Sequence, residues 1–310
     1  MQKIMVFATI TTSVVVLSAC EDNAPGSTGR PYEVVVTARD KEAIDIVAQC
    51  LDCYLTSLPQ KERAFDVIKA DETLYNATYT QARNVVLVET DNKQYTKTSI
   101  RYDNHTGVRN QMIIHLCSPD IKQLKADKKR YETGLRDIIN SHEQSITTAF
   151  IKAHQNMEAE KNIRRICGVD ILVSEALVKE KKGKDFIWIT DDDPEQMTNI
   201  CVYSYPAGND FIKMRDSIMR VNIPGERKGM YMTTVAKTVK TEAGMTRGLW
   251  EMHGDAMGGP FAAKLTADSA RHRIVVAEAF IFAPGRNKRN KMRQAEASLN
   301  TIKIINNGKQ

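Results

Sequence analysis

A helical period runs from Ser118-Pro119 to about Ile166, through Leu124, Tyr131, Leu135, Ile138, His142, Ile146, Phe150 and Met157. It separates two stretches whose patterns are dominated by strands. One helix of that length is unusual inside a globular domain. Ser118 reads as an N-cap with Pro119 at the first helical position, and Ser141-His142-Glu143-Gln144 fits a capping box. The expectation is two consecutive helices bent near Asn140-Ser141, forming a connector over residues 118–167 between a first half (32–117) and a second (168–310).

In the first half, Tyr32 to Val36 is an apolar run suited to a buried strand. Ile44, Val47, Leu51, Tyr54, Leu55 and Leu58 then mark one face of a helix, which Pro59 stops. Phe65-Asp66-Val67-Ile68 and Asn84 to Val88 are further strands. Thr96 to Asp103 and Gln111 to Leu116 suit an antiparallel pair across the turn formers Asp103 to Gly107. In the second half, strands are expected at Asp185–Thr190, Asn199–Tyr205, Met230–Val239, Gly248–His253, Phe261–Thr266 and Arg273–Phe282. Helices are expected at Phe211–Met219 and from about Asn287, where Met292, Ala295, Leu299 and Ile302 share a face. Strands grouped together with helices at their ends define an α+β chain: a mixed strand–helix–strand N-terminal half, a long helical connector and an antiparallel C-terminal sheet with flanking helices.

The first nineteen residues stand apart from this body. Lys3 precedes an apolar run from Ile4 to Leu17, too short for the ~20 residues a spanning helix needs, and the layout is that of a secretory signal. Leu17-Ser18-Ala19-Cys20 resembles the lipobox of bacterial lipoproteins. That resemblance implies removal of residues 1–19, a diacylglycerol thioether on Cys20, and a mature protein held to a membrane by acyl chains such as palmitate. Glu21 to Arg30, rich in small and polar residues, reads with Cys20 and Pro31 as a flexible tether over residues 20–31. Glu21 and Asp22 partly resemble the surface-export signals of Bacteroidota lipoproteins, leaving both the periplasmic and the surface face of an outer membrane open. The expected location is the cell envelope.

The 310 residues are 42% hydrophobic and 26% charged, as in an ordinary water-soluble domain, with a formal net charge of +6. That mild excess, without a basic tract, is too weak to argue for nucleic acid, and none is expected as a partner of an exported protein. Beyond Cys20, Cys50, Cys53, Cys117, Cys167 and Cys201 are odd in number and form no disulfide framework, so partly buried free thiols are expected. Cys50-Leu51-Asp52-Cys53 has redox spacing, but it falls inside a predicted helix with Cys50 on the apolar stripe. It lacks the helix N-terminus that lowers a thiol pKa. Asp191-Asp192-Asp193 lacks the glycine and alternation of an EF-hand loop. The histidines at 105, 115, 142, 154, 253 and 272 include no i, i+4 pair. No nucleotide loop or nucleophile elbow occurs. Neither metal nor cofactor is expected.

An ordered set of segments carries a wider resemblance. Phe186-Ile187-Trp188-Ile189, Tyr203-Ser204-Tyr205-Pro206, Arg215-Asp216-Ser217 and Met230-Tyr231-Met232-Thr233-Thr234 are followed by Arg247 to Glu251, Gly254 to Phe261, Ala283-Pro284 and Lys288-Arg289-Asn290. The set resembles the DUF4837 family, lipoproteins of the Bacteroidota without an assigned function, strongly through residues 185–300 and weakly through 32–160. The resemblance implies an envelope location and carries no active site.

Two clusters concentrate chemistry. In Arg247 to Phe261, alternation places Arg247, Glu251, His253 and Asp255 on one side of a strand. Trp250 offers an apolar face, and Gly258-Gly259-Pro260 permits a tight reversal. Such a row suits a polar ligand or acid–base work by a carboxylate and His253. It is also the pattern of a half-solvated strand. The second cluster, Arg286, Lys288, Arg289, Lys291 and Arg293, opens the last helix, where cations oppose the dipole at roughly 0.3–1 kcal/mol each. It needs an offset, from acidic residues such as Asp191, Asp192 and Asp193 or from an external anion. The resulting expectation is a membrane-anchored, non-enzymatic binding or assembly factor. Its recognition surface comprises Arg247, Trp250, Glu251, His253, Asp255, Gly258, Gly259, Arg286, Lys288 and Arg289, and its partner is an envelope protein or glycan. The alternative is a hydrolase-like enzyme acting on an envelope polymer through Glu251, His253 or Asp255.

Overall fold

A short acidic cap starts the first helix of the protein: Asp40 accepts the amide of Glu42 at 2.7 Å, satisfying one of the N–H groups that a helix start leaves open. The computed structural model describes residues 24–305 apart from His105. The signal peptide, the lipid site at Cys20, the Glu21-Asp22 pair and His105 lie outside the described residues.

The first half runs β1 (Glu33–Ala38), α1 (Lys41–Leu51), β2 (Asp66–Asp71), α2 (Glu72–Leu74) continuing as a π-helical turn over Tyr75–Tyr79, β3 (Asn84–Thr90), β4 (Ser99–Asp103) and β5 (Met112–Ser118). The sheet order is β2-β1-β3-β5-β4, parallel except for β4, which pairs antiparallel with β5. Alternation sends Val34, Val36, Val86 and Ile114 to one face, under α1 and the connector. Val35, Val85 and Ala70 go to the other, where Tyr75 and Tyr79 give only a small cover.

Two expectations fail here. The first helix ends at Leu51, not near Leu58, because Cys53 and Leu55 turn to bond the 62–64 backbone: Ala64 donates to the Cys53 carbonyl at 2.7 Å and Leu55 to that of Glu62 at 3.0 Å. Leu55 and Leu58 still pack onto apolar clusters, but from a loop. The tether also ends early. Ser27 and Thr28 donate to the carbonyls of Arg109 and Gln81 at 2.9 and 2.8 Å, fixing this stretch along the first half as bridges at Gly26 and Thr28.

The connector is α3 (Ile121–Ala126), α4 (Lys128–Ala153) and α5 (Met157–Cys167). Ser118 closes β5 instead of capping a helix, and its hydroxyl pairs with that of Thr98. The cap is Asp120, which accepts the Gln123 amide at 2.7 Å. No break occurs at Asn140-Ser141, since Glu143 is turned inward, fully buried, onto Arg83 and Asn84 at 2.7–2.8 Å. The interruptions fall at Asp127 and at His154 to Asn156, with Asn156 capping α5 through the Ala159 amide.

The second half contains β6 (Val169–Asp170), β7 (Lys179–Gly183), β8 (Phe186–Thr190), β9 (Met197–Pro206), α6 (Phe211–Asn222), β10 (Tyr231–Thr234), β11 (Lys240–Glu242), β12 (Met245–His253), β13 (Gly258–Asp268), β14 (Arg273–Phe282), α7 (Arg289–Leu299) and β15 (Lys303–Ile304). Its antiparallel sheet runs β10-β12-β13-β14-β9-β8-β7, with β11 on β12. One face, with Ile187, Ile200, Val202, Ala277 and Ile281, packs on α5 and α7. The other, with Tyr203, Trp250, Phe261 and Phe280, packs on α6. Strand Met230–Val239 is shortened to Tyr231–Thr234 by a 3-10 turn at Ala236–Thr238. The reversal expected at Gly258-Gly259 sits instead at Gly254, φ +84°.

Candidate functional site

β12 sends its even residues into the sheet core and its odd residues the other way. Arg247 is therefore under α7, where its guanidinium makes two bonds to Glu296 at 2.6 and 2.9 Å. Further along the same side, Glu251 and His253 are exposed. The His253 ring stacks on Tyr231 with centroids 4.8 Å apart, and Arg220 covers that Tyr ring at 3.8 Å. Asp255 lies beyond the strand, its carboxylate accepting the Ala256 amide. The four residues thus do not converge: one is internal, two are in solvent and one is in the turn.

Trp250 points to the opposite face and is 2% exposed. Its indole folds over Gly259, where a Cβ would come 2.0 Å from the Ile281 carbonyl oxygen and 3.1 Å from Nε1. Glycine is needed there for close approach, not for a turn. Gly258 is similarly tight, a Cβ falling 2.9 Å from the Trp250 oxygen. Beside the indole is a pocket of about 160 Å³, walled by Trp188, Trp250, Phe280 and Phe282 and by five methionines (197, 230, 232, 252 and 257), with Asp255 and Glu226 as its charged lining. Methionine side chains are flexible and polarisable, and they adapt to apolar guests of differing shape. Among the described residues the Trp250 Nε1–H has no acceptor.

The basic start of α7 is held inside the protein. Glu62 accepts the backbone amides of Lys288 and Arg289 at 2.8 and 2.9 Å, so a carboxylate from the first half occupies the helix N-terminus, where negative charge is favoured. Arg289 reaches Asp66 at 2.7 and 3.0 Å. Arg293 donates to the Ala64 carbonyl and lies over the Tyr32 ring at 3.7 Å. Lys288 Nζ donates to the Arg286 carbonyl, Arg286 pairs with Glu195, and Lys291 reaches Asp191 at 3.4 Å. Of the three aspartates expected to offset the cluster, Asp191 pairs with it directly and Asp193 lies in the field of Lys291 and Arg286, whereas Asp192 pairs with Lys179. Most of the offset comes from Glu62 and Asp66, and this joint fastens the two halves together.

Sequence reasoning missed two constellations. In the second half, Arg215 and Glu278 are both fully buried and bonded at 2.7 and 3.0 Å. Tyr203 donates to Glu278 at 2.8 Å, and Arg215 donates to Thr234 at 2.8 Å while lying over Phe261 at 4.2 Å. Thr233 and Thr234 donate in turn to Asp216. Burial pushes the Glu278 carboxyl up, against the opposing pull of Arg215. The signal was one glutamate inside the apolar run Val275 to Phe282.

In the first half, Glu89, His115 and Tyr95 meet near the end of β3. His115 Nδ1 lies 3.0 Å from Glu89 Oε1, and Tyr95 donates its hydroxyl to Oε2. Burial raises the Glu89 carboxyl, but these two bonds outweigh it and hold it below its ordinary range. Strand alternation at 87–89 and 113–117 could have placed Glu89 and His115 on one face; tyrosine from the loop could not be foreseen. A crevice of about 420 Å³ opens there.

Cys50, Cys53, Cys117, Cys167 and Cys201 are free thiols, and burial raises both members of the Cys-x-x-Cys pair above the ordinary range. Among the described residues no three His, Cys, Asp or Glu side chains are grouped as metal ligands, and no helix is long and apolar enough to cross a membrane.

Two large sheets with separate cores, joined by a helical connector and by α7 and accompanied by a small β6–β15 pair, define a two-part α+β protein with a methionine-walled pocket in its second part. Residues 156–301, which take in α5 and nearly all of that second part, match the family model of DUF4837, a domain of unknown function. Residues 27–162 match a different model, DUF8532, also a domain of unknown function. The weak DUF4837 resemblance over 32–160 therefore gives way to a second family there. No curated protein matches the chain.

Proposed function

We propose that the protein is an envelope lipoprotein, anchored through Cys20, that acts as a non-enzymatic binding factor and receives a small apolar group between Trp188 and Trp250. The carrying observation is the methionine- and aromatic-walled pocket on the Trp250 strand. Its lining has the adaptability of a binding site. The hydrolase alternative needs Glu251, His253 and Asp255 around one space, whereas Glu251 and His253 project from the face opposite Trp250. The chain has two tryptophans, and both line this pocket, so tryptophan emission, excited at wavelengths the ten tyrosines do not absorb, reports on it alone. Titration with 1-octanol or toluene is expected to shift the emission and saturate, and Met252→Glu to abolish the response. A spectrum unchanged up to the solubility limit of both probes would overturn the reading.

A further inference from the structure

The strand order of the first sheet places a topological switch between β1 and β3. From β1 the chain crosses by α1 to β2 on one side, then returns over the opposite face to β3 on the other. In open α/β sheets such a reversal leaves a gap beyond the carboxyl ends of the two strands, where ligands bind. The register shows the gap opening. β1 and β3 pair only from Val35–Val85 to Thr37–Leu87, while β1 stays with β2 to Ala38 and β3 stays with β5 to Thr90. The 420 Å³ crevice lies at that point, lined by both strand ends, by Tyr75 and Asn76 from the π-helical turn and by Gln94 and Tyr95 from the loop after β3. Its size is within the usual range of small-molecule pockets.

We propose that this crevice is a binding site for a neutral, hydroxyl-rich ligand, a saccharide. A second observation points to a ligand. Thr37 is 2% exposed, and its Oγ1 has no hydrogen-bond partner among the described residues. Register places its side chain on the sheet face of Leu87 and Glu89, which line the crevice. A buried hydroxyl without a partner costs roughly 1–3 kcal/mol, a cost that a ligand hydroxyl seated beside it removes.

The charges argue against an anionic guest. Arg39 is paired with Glu72 at 3.2 Å, Glu89 is already hydrogen-bonded by Tyr95 and His115, and three carboxylates set against one guanidinium leave no free cation for a phosphate. What remains open to a ligand is chiefly hydroxyl and amide: Thr37, Thr90, Asn76 and Gln94, with acceptor capacity left on Asp91. The Tyr75 and Tyr95 rings supply apolar faces for sugar C–H groups. Such amphipathic rings beside side-chain donors and acceptors match a guest whose rim is hydroxyl and whose faces are C–H.

The test is saturation-transfer NMR on the full chain with glucose, N-acetylglucosamine, cellobiose and N,N′-diacetylchitobiose, with inorganic phosphate and spermidine as charged competitors. At least one sugar is expected to receive transfer onto its ring protons, undisturbed by either competitor. Thr37→Val, which removes the hydroxyl at nearly constant shape, is expected to weaken that binding about tenfold, with a melting temperature no lower than the parent's. Tyr75→Ala, which removes the half-buried ring at the crevice wall, is expected to abolish it. No transfer to any of the four sugars, transfer unchanged in both variants, or displacement by phosphate or spermidine would each overturn the proposal.

Discussion

Glu278 lies between alanines in the middle of β14, where every neighbour favours an apolar side chain, and Arg215 reaches it from α6. Two charges taken out of water gain stability only if both partners stay. Glu278→Ala is expected to cost about 3–5 kcal/mol, because Arg215 is left charged and buried, whereas Arg215→Met combined with Glu278→Leu and Tyr203→Phe, which also removes the hydroxyl that Glu278 accepts, is expected to be close to neutral. Urea unfolding midpoints distinguish the two cases, and equal losses in both would show that the pair has no such coupling. Cys201, fully buried beside this network, is one of the thiols that burial holds protonated. The Arg215-Asp216 and Thr233-Thr234 segments that carried the family resemblance thus belong to a buried polar network at residue scale.

α7 shows how one element can be read correctly and misunderstood. Its approximate start and its apolar face at Met292, Ala295 and Leu299 were legible, because helical periodicity is local, although Ile302, expected on that face, lies past the end of the helix. Its basic start was legible as a problem needing an offset, but the solution, Glu62 and Asp66, is more than two hundred residues away and leaves no local trace. β14, expected at Arg273–Phe282, has those bounds. The connector breaks were misplaced because capping patterns such as Ser141 to Gln144 compete with tertiary demands, here the use of Glu143 to bind Arg83 and Asn84. Acid should loosen the α7 joint. The hydrogen bond from Arg289 holds the Asp66 carboxyl below its ordinary value. Its stabilisation is therefore complete above the unfolded value of about 3.9 and is lost as pH falls through the lower folded value. Melting temperatures measured downward from pH 5 should fall less steeply in Asp66→Asn than in the parent, and identical slopes would remove this residue from the acid response.

At the scale of the whole molecule, the two family matches meet at residues 156–162, at the start of α5. Structurally the division is less clean, since α7 of the second half packs on α4 and is capped from the first. Of the sites weighed from sequence, the Trp250 segment was legible as a dense cluster, and its pocket was not: it depends on Trp188, Met197 and Phe282, brought in from strands that only the sheet order makes neighbours. The proposed anchor makes its own prediction. Alkynyl-palmitate supplied to growing cells should label the chain and leave it in the membrane fraction, and Cys20→Ala should lose both. Labelling that survives the substitution would place the lipid elsewhere.

β7 closes the large sheet with Lys179-Glu180-Lys181-Lys182-Gly183, all five residues exposed. Its ammonium groups are engaged sideways, Lys181 with the Asn222 carbonyl at 2.8 Å and Lys182 with Glu180 at 2.6 Å. An open strand edge is a template for further strands, and lysine deters docking because a newcomer would have to strip its hydration. Were copies concentrated on a surface by the proposed anchor, they would meet far more often than in dilute solution. The lysine edge would then act as a growth stop, keeping crowded copies from fusing their sheets into one.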